Sequence, residues 1–237
     1  MGTYVYAVTA EDHPLRLDDL TGVGEPPELV RVVRESPLLA VVSEAPPQLR
    51  AKRRDLMAHQ AVLERLMEDG AVLPMRFGLV APDEDSVKQV LDENAEAYSD
   101  RLRLLAGCVE YNLKVTRDED DLLREIIGTS EEVRRLNEFT RAHPEAQDER
   151  MRLGETVSAE VRRREDETAG EIVASLSPGA ERHVVADPDK EHFLNVSFLV
   201  RRRSGDAFAR AVREEAERRG TAYSLSLYGP LPPYSFV

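Results

Sequence analysis

CVEYNLKVT, residues 108–116, alternates without a break: Val109, Tyr111, Leu113 and Val115 fall on one face, and Glu110, Asn112, Lys114 and Thr116 on the other. A period of two with β-branched and aromatic residues on one side specifies a half-buried strand. Residues 118–177 follow, charged and helical in pattern, with Pro144 dividing them. Leu153, Val157, Val161, Thr168, Ile172 and Leu176 make a thin stripe on the second, longer helix. Continuous from about 145 to 176, that helix spans roughly 45 Å at 1.5 Å per residue, more than a small sheet covers. Part of it should therefore project or meet another molecule. ERHVVAD (181–187) and HFLNVSFLVRR (192–202) read as strands around the turn Asp187-Pro188-Asp189-Lys190, the second placing Leu194, Val196, Phe198 and Val200 on one face. Residues 205–219 form a helix stopped by Gly220, and TAYSLSLYG (221–229) is the last strand. Counted from Cys108, the order is strand, helix, strand, strand, helix, strand. This is the ferredoxin-like βαββαβ plan of an α+β fold, with the long helical segment inserted into it.

Upstream, TYVYAVTA (3–10) opens as a strand, and LDDLTGVG (17–24) is expected to form one short helical turn. LVRVV (29–33) and LLAVVSE (38–44) flank Glu35-Ser36-Pro37 as a hairpin. Residues 49–69 carry Leu56, Leu63 and Met67 at helical spacing before Gly70, and AVLPMRFGLV (71–80) returns to the extended state. One helix from Asp83 to about Leu105 is expected next, capped by Asp83 or Asp85, ended by Gly107 and striped by Val87, Val90, Leu91, Tyr98 and Leu102. The N-terminal half is thus a modified version of the same plan, without a residue-level repeat. The expected domains are an N-terminal α+β domain with its linking helix over 1–106, the ferredoxin-like domain over 107–228, and a Pro/aromatic tail over 229–237 that docks on the body.

Composition bounds the function. The 237 residues are 41% hydrophobic, enough for real cores, and contain no run of eighteen apolar residues. The start, MGTYVYAVTAEDH, shows neither a basic stretch nor a small-residue cleavage site, so a cytoplasmic chain without membrane insertion is expected. With 45 acidic against 32 basic residues, the net charge of −13 repels phosphate backbones. The open face of the C-terminal sheet, expected to show Glu110, Asn112, Lys114, Asn195, Ser197, Ser224 and Ser226, offers no stacking aromatic. Nucleic acid is therefore not an expected partner. The single cysteine, Cys108, excludes internal disulfides and reads as a buried thiol. Asp187, Asp189, Glu191 and His192 crowd one turn, where Asp and Pro serve turn geometry. No GxSxG, P-loop, GxGxxG or HExxH occurs. No catalytic, cofactor-binding or metal-ligating residue is therefore assigned. A polar site on the open sheet face is the enzymatic alternative, and a general interaction scaffold using the long helix is the other.

Two stretches stand out as candidate interaction or docking elements. In LPMRFGLV (73–80), Pro74 and Gly78 bracket Met75, Arg76 and Phe77 where alternating aliphatics would be expected. Arg76 suits a bidentate carboxylate, in the simplest case an internal ion pair, and Gly78 would let another backbone approach closely. The tail GPLPPYSFV (229–237) joins Gly229, Pro230, Leu231, Pro232 and Pro233 to Tyr234 and Phe236. Prolines lower the ordering cost, and each buried aromatic is worth roughly 1.5–3 kcal/mol, so this tail is built to dock. It is expected to pack mainly against the N-terminal half, with a role toward a partner as the alternative.

VLPMRFGLV (72–80), VEYNLKV (109–115), FLNVSFLVRR (193–202) and the closing GPLPPYSFV resemble, in order, the signature segments of the gas vesicle GvpF/GvpL family. The resemblance implies two α+β domains and a non-enzymatic accessory protein of gas vesicle assembly in a prokaryotic cytoplasm. It further implies binding of the small hydrophobic shell protein GvpA and of other Gvp proteins, and association with the gas-facing side of the vesicle. The chain departs from the family where a tryptophan is common and Leu231 stands, and where Tyr111 replaces another aromatic; it contains no tryptophan.

Overall fold

The computed structural model describes residues 2–47, 49–189 and 191–237. It divides into two compact units: Met1–Tyr111 with Leu199–Arg203 and Gly229–Val237, and Asn112–Phe198 with Ser204–Tyr228. The fold is mixed α/β, as the patterning requires.

In the first unit β1 (Thr3–Ala10) is buried on both faces and stands inside an antiparallel sheet. The strand order is β2 (Arg31–Glu35), β3 (Leu38–Glu44), β1, β4 (Leu73–Pro74), with β5 (Val80–Ala81) also paired to β1. A bulge between Val5 and Ala7 shifts the β1–β3 register and brings Val5 and Val8 into one core. That core packs them on Val87 and Leu91 of α2 (Glu84–Glu93) and on Leu102 and Leu105 of α3 (Ala95–Leu105). Tyr4 and Tyr6 meet α1 (Arg53–Asp69) through His59.

Three expectations change here. Residues 17–24 form no helix, only a single turn in which Leu20 N donates to the Leu17 carbonyl at 3.0 Å; Thr21 then makes a bridge to Leu29, and the second strand begins at Arg31. The expected single helix over 83–105 breaks at Asn94, whose side chain donates to the Val90 carbonyl at 2.8 Å. Asp83 is the cap of α2, accepting from Ser86 N at 2.8 Å. On α1 the buried side runs through Asp55, His59, Val62, Leu63 and Leu66, whereas Leu56 is 42% exposed.

The second sheet has the order β7 (Arg182–Ala186), β8 (Leu194–Arg201), β6 (Cys108–Arg117), β9 (Tyr223–Leu231). Counted from its own first strand, each sheet reads second, third, first, fourth, so the two halves share a strand order. Between β6 and β7 lie α4 (Glu119–Thr129), α5 (Glu131–Ala142) and α6 (Gln147–Leu176). Leu153, Val157 and Val161 of α6 pack on Leu122, Ile126 and Val133. The front half of the long stripe is thus covered by α4 and α5 of the same chain, whereas part of the helix was expected to project or meet another molecule. Phe208 of α7 (Gly205–Arg219) packs on Phe198 with ring centroids 5.1 Å apart. Asp189 accepts from Glu191 N at 2.9 Å and His192 N at 2.8 Å, bonds that hold its carboxyl down at about 2. Asp189 is therefore satisfied within the turn; Lys190, the turn's expected fourth residue, lies outside the described residues.

Candidate functional site

β4 and β5 are each two residues long because the chain between them leaves the ladder. Met75 N donates to the Tyr6 carbonyl at 2.9 Å, Leu79 N to the Arg76 carbonyl at 3.2 Å, and Val5 N to the Leu79 carbonyl at 3.0 Å. Residues 75–79 therefore form a turn pinned at both ends to β1. Gly78 has φ +93°, a left-handed conformation that favours glycine, and an added Cβ would meet nothing within 4 Å. The glycine serves the turn, not the close backbone approach expected of it.

Beneath this turn sits His59. Its Nδ1 lies 2.8 Å from Tyr4 Oη, which also accepts from Gly78 N at 3.3 Å. Its Nε2 lies 3.1 Å from the Met75 carbonyl and 3.3 Å from Tyr234 Oη. These partners assign a neutral imidazole that accepts from the Tyr4 hydroxyl at Nδ1 and donates from Nε2. Burial pushes the His59 pKa below its ordinary value, against the opposing pull of the Met75 carbonyl. Burial also raises the Tyr4 hydroxyl well above the usual phenol range and pushes Tyr234 up to about 12. Phe77 closes the cluster edge-on to Tyr4 and His59, at 6.1 and 5.8 Å between centroids. At neutral pH the cluster is uncharged, a packing and hydrogen-bonding device.

The tail enters the same unit. Gly229 has φ +149°, and a Cβ there would stand 2.6 Å from Tyr111 Cδ1 and 2.9 Å from the Glu110 carbonyl. Gly229 and Pro230 are exposed, Leu231 and Tyr234 half-buried, and Pro232 and Pro233 buried. Phe236, 6% exposed, belongs to the core that holds Leu73, Leu102 and Cys108, and its carbonyl accepts from Arg101 Nη1 at 2.9 Å. Ser235 donates its N–H at 2.9 Å and its hydroxyl at 2.7 Å to the Glu110 carboxylate. Glu110 is thereby buried, not displayed on the open sheet face as alternation suggested. Asn112 on that face donates to Asn195 Oδ1 at 2.8 Å and Ser197 Oγ at 3.1 Å.

Beside the turn runs a trough. Two cavities of about 400 and 270 Å³ adjoin through Met75, Leu79 and Tyr98, which line both. Arg76 and Arg101 stand at the first. Arg76 is exposed and, among the described residues, makes no ion pair, contrary to the internal carboxylate pairing expected of it. No group of three or more His, Cys, Asp or Glu suited to a metal ion occurs among the described residues, and no helix there is long and apolar enough to cross a membrane.

Sequence reasoning missed His59 and Asp55. The signal was their spacing with Val62, Leu63 and Leu66 on one side of α1, but a polar pair at the head of a stripe reads as solvent-facing until its partners are known. Those partners, Tyr4 Oη for His59 and Gly24 N at 3.0 Å for Asp55, are far away in sequence.

Residues 2–237 match the family described as gas vesicle synthesis protein GvpL/GvpF. The chain is 43% identical over 239 residues to gas vesicle protein F of Streptomyces sp. (strain CB03234), covering all of both. It is 28% identical to gas vesicle protein L of the same organism, covering 99% of this chain and 92% of that protein. The fold is that of the crystal structure of the gas vesicle protein GvpF from Anabaena sp. PCC7120, with a TM-score of 0.85 at 22% identity over 99% of this chain and 97% of that one.

Proposed function

From a chain that belongs to the gas vesicle GvpL/GvpF family, and so has an accessory role in gas vesicle formation, we infer a non-enzymatic assembly factor. It captures the hydrophobic shell protein GvpA, in company with other accessory Gvp proteins, before or during vesicle growth. A shell subunit must expose apolar surface, and a soluble companion shields it until polymerisation. The net charge of −13 favours solubility of the loaded complex.

The observation that carries this reading is the trough beside Met75–Leu79, an apolar concavity on one of the segments that carry the family resemblance. In this reading Pro74–Gly78 forms one wall. The tail from Gly229 to Phe236 completes the module built on residues 1–106 and sets the shape of that wall through His59. The titratable groups behind that wall, Tyr4 and Tyr234, are committed to hydrogen bonds with His59, which supports binding over chemistry there.

Co-expression of the tagged chain with GvpA should recover the two together. A strain deleted for the protein should make few or no vesicles, and normal vesicle yield in that strain would end the proposal.

A further inference from the structure

We infer that the trough between the Met75–Leu79 turn and helices α2 and α3 seats an α-helix of the captured protein, apolar along one ridge and carrying a carboxylate that pairs with Arg76. This rests on the capture reading above and gives it a surface and a chemistry.

The walls are apolar and partly unused. Leu79 is 45% exposed and Val90 of α2 is 46% exposed, although periodicity placed Val90 in the core stripe. Leu73, Met75 and Tyr98 form the floor between them. Sites for small polar ligands gather several convergent donors and acceptors. Here the charged side chains that line the trough are two guanidiniums, and the floor asks for aliphatic side chains.

A strand is a poor occupant. Adding one requires a row of free edge N–H and C=O groups. Met75 N and the Leu79 carbonyl are spent on β1, and Leu79 N on the turn itself, so the edge is interrupted after two residues on either side. A helix presents its contacts through side chains at i, i+3, i+4 and i+7 and needs no ladder.

Charge supplies the register. The chain has 45 acidic residues, yet none pairs with Arg76 among the described residues. Arg101, beside it, donates to the Phe236 carbonyl. A guanidinium at the end of an apolar trough selects a carboxylate bidentately, and an Asp or Glu at one end of the incoming ridge meets that need.

The test uses the full chain and GvpA as the probe. Arg76→Glu and Val90→Asp, both at exposed positions, should each lower recovered GvpA at least fivefold with unchanged melting, while Arg76→Lys keeps at least half. A photo-crosslinking residue in place of Val90 should label GvpA, and one in place of Met151 on α6 should not. Wild-type recovery with undiminished recovery by both charge variants would overturn the trough and leave capture standing. If a variant melts early, the crosslinks decide: labelling from 151 and none from 90 overturns the inference. No recovery by the wild type overturns the capture reading, and the trough with it.

Discussion

Tyr234 Oη and His59 Nε2 stand 3.3 Å apart although 175 residues separate them in the chain. The same imidazole nitrogen faces the Met75 carbonyl, and the other nitrogen faces Tyr4. One neutral ring therefore reports on the tail, on the turn of the PMRFG segment and on the central strand at once. Any change that moves the tail alters the hydrogen bonding of the turn that walls the trough.

Phe236 and Tyr234 should separate sharply under mutation. Phe236 lies in the core, and removing a buried phenyl group costs about 3–5 kcal/mol. Tyr234→Phe removes one hydroxyl from a 3.3 Å contact, worth about 0.5–1.5 kcal/mol. Urea midpoints should show Phe236→Ala far below wild type and Tyr234→Phe slightly below it. Equal midpoints for the two variants would mean that the tail contributes nothing to the core.

The buried histidines set a pH dependence. Burial lowers the folded pKa of both His59 and His13 from about 6.5, so the unfolded chain takes up protons first as pH falls. Stability should be level above pH 7.5 and decline below about 6.5, by up to about 1.4 kcal/mol per pH unit for each histidine. The decline ends once pH passes the folded values. Carboxylates with lowered pKa, such as Glu125 beside Arg117, lose their contribution only below about 4.5, a separate window. Chemical denaturation across pH 5–8 checks this, and His59→Asn should remove one share of the slope. A stability that rises as pH falls from 7 to 6 would contradict the neutral assignment of His59.

Glu110 should prove less tolerant than its place in an alternating strand implies. Its carboxylate accepts from both donors of Ser235, and no solvent is there to replace them. Glu110→Gln keeps the volume but turns one acceptor into a donor facing a donor. The expected loss is about 1–3 kcal/mol, whereas Lys114→Gln, four residues along the same strand, should lie within about 0.5 kcal/mol of wild type. Thermal melts of the pair check it.

Much of this architecture was legible because it is local. The period of two in residues 108–116 and the cap at Asp83 are written within a few residues of where they act. What escaped was set at a distance. Alternation correctly assigns Glu110 a face, but what covers that face arrives 125 residues later with Ser235. The break at Asn94 carries no Pro or Gly, and the stripe through Leu91, Tyr98 and Leu102 runs on across it. At the candidate site the segments were legible and their meeting point was not. A histidine inside a helix names no partner until Tyr4, Met75 and Tyr234 are brought around it.

Two glycines should respond to the same substitution with opposite signs. At Gly229 a methyl group would enter within 2.6 Å of the Tyr111 ring and 2.9 Å of the Glu110 carbonyl oxygen, and φ of +149° is hostile to any L side chain. The carbonyl belongs to β6 and cannot yield without disturbing the sheet, so Gly229→Ala should destabilise by more than about 1 kcal/mol. Gly154, inside α6, has open space where the Cβ would go, and its helical backbone suits alanine. There the substitution removes conformational freedom from the unfolded chain, and Gly154→Ala should add about 0.4–1 kcal/mol. If GvpA capture depends on the wall that the tail holds in place, Gly229→Ala should also weaken it. Gly154→Ala should leave capture intact while raising the melting temperature. Parallel melts and recoveries of the two variants give four readings, and a stabilised Gly229→Ala would show that the tail does not enter its site along the path described.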